Sequence, residues 1–166
     1  VCFLLVALVV PGFAQSTEAE IKRYGDVLES CYSSAAEDAL PDCIGRMAEA
    51  CMIQEDGGQT TLGMTMCTMA EAQKWDNFLN SEYKATLSGL AAMDRDEAEY
   101  FPEFAKRVEA LRTVQRAWIA FRDAECGLSY AMWGSGSMRN IAASKCRLEM
   151  TATRTIELRN LGSEMR

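Results

Sequence analysis

The sequence predicts an all-α protein, a small bundle of about five helices in antiparallel hairpins stapled by disulfides. Three observations indicate this class. Apolar residues recur at steps of three and four in successive segments, no segment alternates apolar and polar residues for long enough to be a convincing strand, and cysteines are numerous. About 150 residues follow the first 14, and this length suits one domain with a single core.

Residues 1–14 have the pattern of an export signal. The uncharged apolar run at 1–10 (VCFLLVALVV) is followed by PGFA, which puts small residues at the two positions that signal peptidase reads. The run is about half as long as the ~20 residues of a membrane span. We expect cleavage after Ala14, loss of Cys2 with the peptide, and a periplasmic or secreted product without a membrane span.

Two helices are predicted before a glycine loop. Thr17 and Glu20 have the spacing of a capping box, and apolar residues follow at helical steps. Pro41 suits the first turn of a short second helix. The predicted ranges are about 17–37 and 41–53, with a loop at 54–60 (QEDGGQT), and together they form an N-terminal helical hairpin over residues 15–59.

Three further helices are predicted to form a core domain. Thr60 or Thr61 can cap the long third helix, Pro102 opens the fourth, and Ser137 can cap the fifth. The predicted connections are the charged stretch at 93–99 (MDRDEAE) and the break at 134–136 (GSG), and the core domain spans residues 60–162.

Six cysteines follow the export signal, and an even number behind such a signal indicates three disulfides. A structural zinc site would need four close thiolates or imidazoles, whereas the chain has no histidine and no Cys-x-x-Cys pair. The sequence therefore predicts no metal site and no cofactor.

The disulfide pairing follows in part from hairpin symmetry, because residues equally far from a turn face each other in an antiparallel pair. Cys126 and Cys146 are centred on residue 136, inside the glycine break, and are predicted to pair. For the other four cysteines we favour Cys51 with Cys67 and Cys31 with Cys43, since residue 59 in the glycine loop is the centre of the first pair. The alternative is Cys31 with Cys51 and Cys43 with Cys67.

The net charge of −7 and an isoelectric point near 4.7 exclude a nucleic-acid partner, because phosphates attract basic surfaces. An acidic surface can also accelerate the encounter with a basic protein. Acidity is, however, common in exported proteins for solubility alone.

Polar residues interrupt two apolar helix faces. Gln115, Trp118 and Arg122 share one face, and Asp76 shares another with Asn80. If buried, these groups must bond one another, for instance Arg122 to Asp76 and Gln115 to Asn80. The favoured interpretation is a structural polar network, and the alternative is a ligand-binding cleft between splayed helices.

Catalysis has little support in the sequence. Without histidine there is no Ser-His or Cys-His pair, and paired cysteines leave no thiolate nucleophile. Glu71 and the other carboxylates read as ordinary residues of helix surfaces, and no pair of the kind a glycosidase uses stands out. We therefore expect a protein that is not an enzyme.

Four segments carry a resemblance to a known family. They are C-x3-E at 67–71, W-D-x-x-L-N-x-x-Y at 75–83, L-R-x-x-Q-R-A-W-I-x-F-R-D-A-E-C at 111–126 and C-x7-R-T-x-E-L at 146–158. Over roughly residues 60–162 the chain resembles the lysozyme inhibitor LprI-like N-terminal domain family. The resemblance implies a small exported helical domain with a cysteine pair at Cys126 and Cys146, and inhibition of lysozyme by direct binding.

The leading hypothesis is an exported protein-binding module that inhibits a basic lysozyme or a related murein hydrolase. The expected contacts with that enzyme are carboxylates on interhelical loops, namely Glu55, Asp56, Asp94, Asp96 and Glu97. The other candidate binding residues, Gln115, Trp118 and Arg122, share the polar face of the fourth helix, which would be a docking surface in the alternative function. The alternative is a structural or assembly partner in the cell envelope without inhibitory activity.

Overall fold

The computed structural model describes residues 11–165, which form an all-α protein of five α-helices, as the sequence predicts. Residues 1–10 of the expected export signal lie outside this range. The first helix is described over Pro11–Ser34, so Thr17 lies inside it and the expected capping box is wrong. None of the described helices combines the length and apolar character needed to cross a bilayer.

The longest helix, α3, is the centre of the bundle. The helices are α1 (Pro11–Ser34), α2 (Arg46–Gln54), α3 (Thr61–Ala98), α4 (Arg107–Ala131) and α5 (Arg139–Glu164), with 3₁₀ segments at Glu37–Cys43 and Pro102–Phe104. Helix α5 packs along α3, helices α1 and α2 pack against α3, and α4 packs against α5 and α3. One face of α4 therefore remains outside the bundle.

The core has two apolar clusters. The larger one surrounds Trp75, which is fully buried and makes edge-to-face contacts with Tyr32 and Phe78 at centroid distances of 5.4 and 5.9 Å. It contains residues of α1, α2, α3 and α5. The smaller cluster joins α3, α4 and α5 around Leu79, Leu111 and Leu158. The N-terminal helices thus share a core with α3 and α5.

All six described cysteines form disulfides, and the favoured pairing is confirmed. The Cα atoms are 5.7 Å apart in Cys31–Cys43, 5.6 Å in Cys51–Cys67 and 5.5 Å in Cys126–Cys146. The first two disulfides connect α1 to the 3₁₀ segment that precedes α2, and α2 to α3. The third crosses the α4–α5 hairpin, as its symmetry predicts.

Three further predicted helix starts are wrong. The Thr60 cap of α3 is confirmed by its bond from the Gly63 amide at 3.1 Å. Pro41 lies in the first 3₁₀ segment, and α2 starts only at Arg46. Pro102 opens the second 3₁₀ segment rather than α4. Ser137 lies in the turn before α5, which begins at Arg139 without a side-chain cap.

Candidate functional site

Arg122 of α4 is the centre of the predicted polar network. Its side chain is buried, and the guanidinium lies 3.7 Å from the Asp76 carboxylate on α3, as predicted, and 3.0 Å from Asp123. Arg147 of α5 reaches the same Asp123 oxygen at 3.3 Å. The Trp118 ring stacks against the guanidinium with a centroid distance of 5.0 Å. The network therefore joins three helices.

The expected Gln115–Asn80 contact is wrong. Gln115 accepts a bond at 3.1 Å from Arg154 of α5, which also pairs with Glu157 one turn later. Asn80 instead donates to the carboxylate and carbonyl of Asp76, one turn earlier in α3. Gln115 thus finds an ionic donor on α5, and Asn80 satisfies its amide within its own helix.

Two open grooves flank the Asp76–Arg122 pair. One, of about 530 Å³, lies between α3 and α4, and its walls include Tyr83, Arg112, Gln115, Arg116, Trp118 and Arg122. The other, of about 840 Å³, is bounded by α1, α3 and α5 and includes Ile21, Met69 and Arg147. The network and a cleft lined by its members are therefore both present.

Glu71 is fully buried, so its interpretation from the sequence as an ordinary surface residue is wrong. The carboxylate accepts the Gly45 and Ala48 amides at 2.6 and 2.7 Å and the indole N–H of Trp75 at 3.0 Å. Gly45, whose φ is +92°, is the N-cap of α2. Burial raises the pKa of Glu71, although its hydrogen bonds oppose this. Glu71 therefore anchors the start of α2 on α3.

Glu55 and Asp56 occupy the loop between α2 and α3, and the structure places them differently. Glu55 is partly buried and accepts bonds from the Tyr24 hydroxyl, at 2.8 Å, and from Arg23 of α1. The Tyr24 bond contributes most to lowering the pKa of Glu55. Asp56 is exposed. Glu55 thus ties the loop to α1, whereas Asp56 faces solvent.

Asp94 and Glu97, both predicted as binding residues, bond to the start of α4. Asp94 accepts the Arg107 and Val108 amides at 3.1 and 2.9 Å, and therefore caps α4 from the end of α3. Arg107 also pairs with Asp94 at 3.2 Å and with Glu97 at 3.0 Å. These contacts clamp the two ends of the α3–α4 connection together.

The segment between the end of α3 and the start of α4 carries exposed aromatic side chains that were not among the predicted binding residues. We call residues 96–104 the acidic tip. Asp96, Glu99 and Glu103 are exposed there, and so are the side chains of Tyr100, Phe101 and Phe104. The sequence indicated this feature only through the aromatic run Y-F-P-E-F at 100–104, whose apolar residues do not follow a helical period. The tip thus carries three exposed aromatic side chains and three exposed carboxylates within nine residues.

Asp94→Ala should weaken the attachment of α4 to α3. Its bond from the Val108 amide contributes most to lowering the pKa of Asp94 below the ordinary 3.8. A lowered folded-state pKa gives a stabilisation that is present above pH 3.8 and is lost as the pH falls through the folded pKa. Thermal unfolding should show a melting temperature reduced by a few degrees at pH 7, and no difference in strong acid.

The matched control for this variant is Asp96→Ala, which removes an exposed carboxylate two residues further along the same helix. Its melting temperature should remain close to that of the wild type at both pH values. Equal effects of the two substitutions at pH 7 would contradict the capping role of Asp94.

The described residues contain no group of three or more histidine, cysteine, aspartate or glutamate side chains that could hold a metal ion. Their cysteines are all paired in disulfides.

Comparison with known proteins identifies one family. A family model described as lysozyme inhibitor LprI matches residues 51–158, from the end of α2 through most of α5, in agreement with the resemblance noted in the sequence. An uncharacterized protein of Rhizobium meliloti (strain 1021) is 32% identical over 100 residues, which are 60% of this chain and 72% of that protein. No solved structure matches.

Proposed function

Because this chain belongs to the lysozyme inhibitor LprI family, we propose that it is an exported module that binds another protein, a basic lysozyme or a related murein hydrolase. Inhibition by direct binding needs no catalytic residue. The absence of histidine from the sequence agrees with a protein that is not an enzyme. The proposal depends on one observation above all, the composition and setting of the acidic tip.

The acidic tip combines two kinds of group that protein interfaces use. Tyr100, Phe101 and Phe104 are each more than half exposed, and aromatic side chains supply much of the binding energy at interface centres. The exposed carboxylates of Asp96, Glu99 and Glu103 belong to the same segment and would attract a basic partner. A cationic enzyme surface with an apolar depression would complement this arrangement.

The tip is also held in place before it binds. Asp94 caps α4, Arg107 joins Asp94 to Glu97, and the Phe101 amide bonds to the Glu97 carbonyl at 2.8 Å. A preorganised loop loses less conformational entropy on binding. We therefore assign Asp94 and Glu97 a positioning role, and Asp96 with its exposed neighbours the direct contact.

The loop between α2 and α3 is a secondary candidate for the contact surface. Asp56 is exposed there, next to Glu55, whose bonds to Arg23 and Tyr24 fix the loop against α1. By the same logic, Glu55 would position the loop, and Asp56 would contribute to attraction of the partner.

The test is binding of the oxidised protein to a basic c-type lysozyme, measured by isothermal titration calorimetry. The triple variant Asp96→Asn/Glu99→Gln/Glu103→Gln should bind at least about tenfold more weakly than the wild type. The double variant Tyr100→Ala/Phe101→Ala should lose affinity to a similar degree, because it removes the apolar centre of the contact.

A matched control removes the same number of charges elsewhere. Glu37→Gln/Asp38→Asn/Asp42→Asn neutralises three exposed carboxylates of the first 3₁₀ segment and changes the net charge equally. Its affinity should fall by less than about threefold, since only the long-range field changes. An equal loss in both triple variants would reject the tip as the contact surface.

The groove between α3 and α4 supports the alternative function, that of an assembly partner in the envelope. Its arginines and Trp118 suit a segment with carboxylate and apolar groups. Trp118→Ala should abolish binding to such a partner and leave lysozyme binding unchanged. Trp118→Ala that weakened lysozyme binding would place the lysozyme contact in the groove instead of at the tip.

A further inference from the structure

Helix α4 carries a second apolar face that the bundle does not use. Along it, large residues recur every seven positions as Val114, Phe121 and Leu128. Alanines occupy the alternate positions of the same heptad pattern, at Ala110, Ala117, Ala124 and Ala131. In heptad notation the large residues are at a and the alanines at d. The pattern is that of a helix–helix seam over about 33 Å.

This seam lies on the outside of the protein. Val114 is 51% exposed, Phe121 60% and Leu128 55%, and the four alanines are exposed as well. The side of α4 that faces α3 and α5 is a different one, with Leu111, Gln115, Arg122 and Cys126 buried. Apolar patches of several hundred Å² mark interaction sites on soluble proteins.

We propose that this face of α4 pairs with the same face of a second copy of the chain, with the two helices antiparallel about a two-fold axis. In an antiparallel pair each a residue packs against a d residue of the other helix, whereas parallel helices pack a on a and d on d. Antiparallel pairing therefore places every large side chain opposite an alanine. The face is complementary to itself in that orientation.

The positions beside the seam also permit a close approach of two such helices. On one side they are Thr113, Ala120 and Gly127, all small and uncharged. On the other side, when Phe121 lies opposite Ala124 of the second copy, Glu125 lies nearest Trp118 of that copy, so no like charges meet. Small residues let helix backbones approach each other, and the large residues at a can then fill the space above the alanines.

The expected dimer is weak. The exposed seam would bury on the order of 500 Å² per copy, below the ~800 Å² of a standard interface. Each copy also has a net charge of −7, so the copies repel one another. Salt screens that repulsion and should strengthen the dimer, whereas it should weaken binding to a basic lysozyme. The two proposals can therefore fail independently.

Sedimentation velocity of the oxidised protein from about 5 to 300 μM tests the proposal, with dissociation expected in the range of tens of micromolar. Phe121→Asp should weaken the dimer at least about tenfold. Ala124→Ile should do the same, although it makes the face more apolar, because the larger side chain prevents close packing against the opposing a residue. Circular dichroism verifies that both variants remain helical.

The matched control is Ile53→Asp, which introduces the same charge at an apolar side chain of α2 that is 70% exposed. It should leave the dimer unchanged. A protein that stays monomeric throughout the concentration range would overturn the proposal. A dimer that persists in Phe121→Asp would also overturn it. So would a dimer that Ala124→Ile leaves intact or strengthens, because non-specific apolar association would respond to a larger apolar side chain in that way.

Discussion

Glu71→Ala is expected to cost about 3 kcal/mol or more of folding free energy, because it leaves buried donors without an acceptor. The amides of Gly45 and Ala48 and the indole of Trp75 would all lose their partner at once. The total stability of a domain is only about 5–15 kcal/mol. Chemical denaturation at pH 7 would show the loss as a lower midpoint with an unchanged slope.

The pH dependence of this effect has a definite sign. The folded-state pKa of Glu71 is raised above the ordinary 4.5, so the native state holds its proton more tightly than the unfolded chain. That contribution to stability is complete below pH 4.5 and is lost as the pH rises through the raised pKa. The difference between wild type and Glu71→Ala should therefore shrink on going from acid to neutral pH. A stability difference that grows from acid to neutral pH would contradict the raised pKa of Glu71.

The buried disulfide between α2 and α3 should be the most costly one to remove. The double variant Cys51→Ala/Cys67→Ala is expected to lose about 3–5 kcal/mol, since loop constraint contributes about 3 kcal/mol and cavities in the core add to it. Both half-cystines are buried within the larger cluster, which also contains Met47 and Trp75. Thermal unfolding of the purified variant measures the loss.

The control is Cys126→Ala/Cys146→Ala, which removes a disulfide of comparable loop length. Its sequence separation is 20 residues, against 16 for Cys51–Cys67, so the entropic contributions are similar. Cys146 is partly exposed, and neither residue belongs to the larger cluster. The control should lose less stability than the first variant. The reverse order would show that core packing around Cys51 matters little.

Much of the fold could be predicted because local patterns determine it. The helical periodicity defined the number of helices, and the symmetry of the glycine break placed Cys126 opposite Cys146. The Arg122–Asp76 pair followed from two polar residues on facing apolar stripes. These features depend on spacing along one helix or one hairpin, which the sequence displays directly.

The missed features depend on donors that are distant in sequence. Glu71 looks like a surface carboxylate until the amides of residues 45 and 48 reach it from another helix. Asp94 looks like a loop charge until it caps α4 from 13 residues away. Donors far along the chain bond these two carboxylates. The aromatic side chains of the acidic tip precede α4 because that helix begins at Arg107, whereas the sequence predicted that Pro102 opens it.

Inhibition of a basic lysozyme is the expected consequence of the proposed recognition through the acidic tip. Muramidase activity of a basic c-type lysozyme would be titrated with the oxidised wild-type protein at low and at moderate ionic strength. We expect a stoichiometric loss of activity that weakens as salt screens the carboxylates. Full lysozyme activity at a micromolar excess of the protein, at both ionic strengths, would contradict it.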